Sequence, residues 1–123
     1  MAGASQGFHE AEDKLSRETK DAHRALVSLQ EELEAIDWYC QRADACRDPQ
    51  LKAILLHNMR EEMEHSAMLI EWLRREYGDF DRQLREHLFN DASVIAEDED
   101  NDEPAGQTTA YDSGTSTIGS LKE

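Results

Sequence analysis

The sequence predicts an all-α protein, an antiparallel two-helix hairpin followed by a short third helix. Three observations carry that prediction. Apolar residues recur at near-heptad spacing from Phe8 to Ala43, and no Pro or Gly after Gly7 interrupts them. Asp48-Pro49 then puts a helix stop and a helix start side by side. A second apolar stripe follows, from Leu51 to Trp72.

The first helix is expected from about Phe8 to Ala45, with Leu15, Ala22, Leu26, Leu29, Leu33 and Ile36 on its inner face. The second should start at Pro49, with Asp48 as its N-cap, and run to about Tyr77. Arg74 and Arg75 suit its C-terminal dipole, and Gly78 is a natural residue to end it. A third helix, about Asp79 to Phe89, carries Phe80, Leu84 and Leu88, and Asn90 can stop it. A hairpin of residues 1–90 cannot bury both of its faces well. Two copies face to face would make a four-helix bundle, so the sequence argues for a dimer.

Composition changes after Asn90. Residues 91–123 carry nine acids and one lysine, so −8 of the formal charge of −15 lies there. Residues 91–116 read as a disordered acidic linker. Residues 117–123 bring back two aliphatic side chains, Ile118 and Leu121. On composition alone that ending carries no message.

The charge balance, 28 acids against 13 bases, argues against a nucleic-acid partner and suits a surface that concentrates cations. No apolar run is long enough for a membrane span. Met1 to Gly7 lacks a signal-peptide apolar region, so a cytoplasmic protein is expected. Cys40 and Cys46 do not form a CxxC motif and read as ordinary reduced thiols. His9, His23, His57 and His87 read as ordinary histidines, and Trp38 and Trp72 as packing residues.

The chemistry concentrates on the second helix. Glu62 and His65, spaced i, i+3, share a stripe with Leu51, Leu55, Asn58, Leu69 and Trp72. A carboxylate and an imidazole occupy positions where a bundle would place leucines. A buried unpaired carboxylate is costly, and a metal ion compensates it. On the first helix Glu32 sits in a similar apolar row with Leu29, Ile36 and Tyr39. One helix offers Glu and its partner offers Glu-x-x-His. Dinuclear carboxylate sites in four-helix bundles need two such sets. A symmetric dimer would supply four carboxylates and two imidazoles, a donor set suited to Fe or Mn. Tyr39 would stand beside the metals as a hydrogen-bond donor or a redox bystander. Glu31 and Glu34, flanking Glu32, could funnel cations inward or form a solvated edge.

Three stretches carry a family resemblance. Glu31-Glu32-Leu33-Glu34-Ala35-Ile36-Asp37-Trp38-Tyr39 resembles the first-helix signature of encapsulated ferritins. So does Ile54-Leu55-Leu56-His57-Asn58 running into Glu61-Glu62-Met63-Glu64-His65-Ser66-Ala67-Met68, and then Glu71-Trp72-Leu73-Arg74-Arg75. Thr117-Ile118-Gly119-Ser120-Leu121 looks like the peptide that loads cargo into encapsulin shells. The resemblance implies a ferritin-like four-helix bundle formed on dimerisation, assembled as a ring of five dimers. It implies a ferroxidase that oxidises Fe(II) with O₂ at a di-iron centre held by Glu32, Glu62 and His65, with Tyr39 beside it. Glu31 and Glu34, next to Trp38, correspond to the site where metal enters. The mineral would be stored within the encapsulin nanocompartment, reached through residues 117–121. Two alternatives remain at this level: a non-catalytic, metal-stapled helical oligomer packaged as shell cargo, and a plain helical cargo or scaffold protein of the shell with no metal function.

Overall fold

The computed structural model describes residues 7–95. The expected cargo-loading peptide and the expected linker beyond Ile95 lie outside the described residues. Regular structure among those residues is all helical. A short 3-10 helix, Glu12–Lys14, precedes three α-helices: α1 (Arg17–Ala45), α2 (Pro49–Glu76) and α3 (Gly78–His87). Two compact units divide the chain between Glu76 and Tyr77.

In the first unit α1 packs against α2. The link is three residues long, and its geometry follows the Asp-Pro signal. The Leu51 backbone N–H donates to Asp48 Oδ2 at 3.0 Å, which caps α2 as expected. Ala22, Ala25 and Ala43 are buried on α1; Leu56, Met59, Ser66 and Leu73 are buried on α2. Ala43 and Leu73 have no exposed surface. Small side chains on one helix leave room for larger ones on the other, and each large apolar side chain buried contributes about 1.5–3 kcal/mol.

Two expectations for this unit need correction. Helix α1 starts at Arg17, not Phe8. Ser16 ends the run by accepting the Thr19 backbone N–H on its hydroxyl at 3.1 Å, a cap that outweighs the continuing apolar spacing. The segment before it turns back along α1, with the Phe8 ring 4.8 Å from that of His23 and Glu12 paired to Lys20. The stripe containing Glu62 and His65 is also not the buried row. The hairpin closes over the neighbouring row instead, leaving Leu51 47% and Trp72 36% exposed and Leu55, Asn58 and Leu69 half-buried.

In the second unit Gly78 does not terminate α2 in a left-handed conformation. It opens α3, where Asp79 and Asp81 favour the N-terminal dipole. Helix α3 ends two residues sooner than expected. Phe89 takes the left-handed position, with φ 60°. Asn90 then caps the end, its amide donating to the carbonyls of Glu86 and Leu88.

Candidate metal centre

Glu32 comes from the middle of α1, and Glu62 and His65 from the middle of α2. Hairpin packing brings them together although they stand 30 and more positions apart. His65 Nδ1 lies 3.0 Å from Glu62 Oε1 and 3.4 Å from Glu32 Oε1. All three donor atoms fall within 4.8 Å of one another. The carboxylates are the more enclosed, at 26% and 22% side-chain exposure, while His65 is 41% exposed. Ser66, buried beneath this turn, donates to the Glu62 carbonyl at 2.9 Å and ties the turn to the core.

Crowding two carboxyls here separates their proton affinities. Glu32 is pushed above the ordinary range, first by its hydrogen bond with Glu62, then by burial and by the Glu62 charge. Glu62 is lowered, chiefly because it accepts that bond, with His65 assisting. His65 is raised, first by its hydrogen bond to Glu62 and then by Glu32. Proton affinity is therefore raised on Glu32 and His65 and lowered on Glu62. A cation bound by the three would compete with protons for them.

The donors fit a transition metal. Two carboxylate oxygens and one imidazole nitrogen make the mixed set that Fe and Mn accept. Three donors leave a coordination sphere incomplete, and the group sits on the half-exposed row of the hairpin, open on one side.

Glu31, Glu34 and Tyr39 are not among these three donors. Glu31 is exposed and Glu34 half-buried, and each is engaged in an interaction of its own. Tyr39 is half-buried, with its ring 5.4 Å from the Arg42 guanidinium carbon. His57 pairs with Glu61 at 3.7 Å on the exposed surface, and His87 contacts the Val94 carbonyl at 3.0 Å. The sequence reading did not single out Ser66 or Arg42. Their signal was spacing: four residues after Glu62, and three after Tyr39.

The fold and this group define a class, an all-α hairpin that carries a candidate carboxylate–histidine metal group. A family model described as EncFtn-like matches residues 7–91. The chain belongs to the EncFtn-like family. It is 46% identical to an encapsulated ferritin-like protein of Rhodospirillum rubrum, over 99% of this chain and 92% of that one. It is 35% identical to the encapsulin nanocompartment cargo protein EncC of Myxococcus xanthus, over 55% of this chain and 52% of that one. The crystal structure of protein ne0167 from Nitrosomonas europaea superposes with a TM-score of 0.70 at 52% identity, covering 73% of this chain and 99% of that one. None of the described helices is long and apolar enough to cross a membrane.

Proposed function

We propose that the chain is a ferroxidase whose metal site is completed by a second copy of itself. The observation that carries this reading is the convergence of Glu32, Glu62 and His65 on the open side of a hairpin. A two-fold partner would bring the same three donors from the other side, giving the six-donor set of a dinuclear carboxylate centre. The exposed apolar side chains of this unit support such pairing. Leu33, Ile54 and Met68 are each more than half exposed, which suits a protein interface better than solvent.

Fe(II) is the substrate, and two such ions give one electron each to O₂. Glu32 and Glu62 supply negative charge that favours Fe(III) over Fe(II), which promotes the oxidation. His65 adds a neutral nitrogen donor once its proton has left. Tyr39 lies two turns along α1 from Glu32 and would stand beside the centre as a hydrogen-bond donor once a second copy completes it. Glu31 and Glu34 extend the negative surface beside Glu32 and draw Fe(II) toward it.

Oxygen uptake after Fe(II) is added under air tests the reading. The wild-type chain should consume O₂, and the Glu31→Ala/Glu34→Ala double variant should do so at an altered rate. Metal-dependent oligomers without oxygen uptake would leave a metal-stapled assembly instead.

The cargo role draws on the likeness to an encapsulated ferritin-like protein and to an encapsulin cargo protein, and on residues 117–121. Ile118 and Leu121 would fill apolar pockets on the inner face of an encapsulin shell, and many weak peptides on one oligomer would add to a firm attachment. Deleting residues 117–123 should abolish packaging by a co-expressed encapsulin and leave iron oxidation intact. Truncated protein recovered inside shells would refute the targeting role.

A further inference from the structure

Arg42 stands four residues after Trp38 and three after Tyr39 on α1, a spacing that brings its side chain beside both. The Arg42 guanidinium carbon lies 5.4 Å from the centroid of the Tyr39 ring and 5.9 Å from that of Trp38. Both distances are within reach of cation–π attraction, so one cation serves two rings. Trp38 is 42% exposed and, with Gln41 and Arg42, lines a shallow pocket that small solutes can enter.

The other tryptophan of the chain makes a built-in comparison. Trp72 is 36% exposed and shares a groove with Arg75 and Glu71. There the Arg75 guanidinium donates to a Glu71 carboxylate oxygen at 2.7 Å, so its charge is answered locally. Two indoles of similar exposure thus sit in different fields, one facing a guanidinium and the other beside a neutralised pair.

An aromatic ring that loses an electron becomes a cation. Next to a guanidinium that product is disfavoured, because cation–π attraction is lost and repulsion replaces it. Trp38 and Tyr39 are six and seven residues from Glu32, about 10 Å along the helix axis. They are readily oxidised side chains close to the metal site. We propose that Arg42 is an electrostatic shield that holds Trp38 and Tyr39 in their reduced form. Its use, keeping O₂ chemistry supplied with electrons from Fe(II) and not from the protein, rests on the ferroxidase reading. The shielding itself does not, and it can be measured without iron.

The test exposes the metal-free full chain to azidyl radicals, a neutral one-electron oxidant made by γ-irradiation of aqueous azide. Each azidyl radical takes one electron from an indole and becomes azide. The indole cation passes its N–H proton to water. The remaining radical combines with superoxide, formed from O₂ and the hydrated electrons of the same irradiation, and takes a proton to give a hydroperoxide. Mass spectrometry then gives the ratio of oxygenated Trp38 to oxygenated Trp72. Arg42→Gln should raise this ratio on the order of fivefold. Arg42→Lys, which keeps the charge and gives up the planar stack, should fall between wild type and Arg42→Gln. An unchanged ratio in Arg42→Gln, or a ratio in Arg42→Lys as high as in Arg42→Gln, overturns the shield. Oxygen uptake with Fe(II) is measured separately, so the shield and the ferroxidase reading can fail independently.

Discussion

Two rows of side chains run next to each other along α2, and they have opposite fates. Leu56, Met59, Ser66 and Leu73 are sealed by α1 and make the hairpin core. Leu51, Asn58, Glu62, His65 and Trp72, one position away on the helix, stay half-buried or exposed. The first row is finished within the chain. The second holds the candidate metal donors and is left uncovered within the chain. Stability and chemistry are therefore separated by a single step around one helix, about 100°. A functional row of this kind can keep costly charges because the hairpin does not have to desolvate them alone.

The sharpest way to break this comparison is to exchange effects between the rows. Glu62→Ala or His65→Ala should abolish Fe(II) oxidation, because each removes a donor from both halves of a symmetric site. In the metal-free chain either change should shift stability by less than about 1 kcal/mol, since these side chains are not part of the core. Oxygen uptake and a urea titration on the same samples check both halves of the statement. Wild-type oxidation rates in both variants would place the site elsewhere. Leu73→Ala should do the reverse. It should cost about 2–5 kcal/mol, read as a lower urea midpoint, and lower activity only as far as the chain unfolds.

A smaller effect is expected from pH. His65 is raised by its carboxylate neighbours in the folded, metal-free chain. A group raised on folding adds stability that is complete below its unfolded value, about 6.5, and fades as pH rises through the folded value. Metal binding has the opposite sense, because an incoming ion competes with protons for His65 and the carboxylates. Mn(II) affinity should therefore fall as pH drops through the raised His65 value. Titrations in buffers of different ionisation enthalpy should show proton release on binding, and His65→Ala should remove part of it. Proton release unaltered in His65→Ala would detach the histidine from the site.

The hairpin was legible because its signals are local. Asp48-Pro49 names its own geometry, and the long apolar periodicity names the helices. The three residues that the hairpin brings together also stand out in the sequence, because Glu32 and Glu-x-x-His both interrupt apolar rows. The start of α1 was not legible, because apolar spacing continues through Leu15 while one serine hydroxyl decides the cap. Nor did periodicity say which of two adjacent rows is buried. Leu55 and Leu56 are both apolar, and only the approach of α1 selects Leu56. Gly78 misled for a related reason, since a glycine between helical stretches suits the end of one as well as the beginning of the next.

The central claim is that each chain holds half a site and a second copy holds the other half. Sedimentation during an anaerobic Fe(II) titration tests it most directly, because assembly and metal binding are read on one sample. The account predicts that Fe(II) drives or tightens association, with binding saturating at two ions per pair of chains. A chain that stays monomeric at saturating Fe(II), and still oxidises iron when air is admitted, would contradict it.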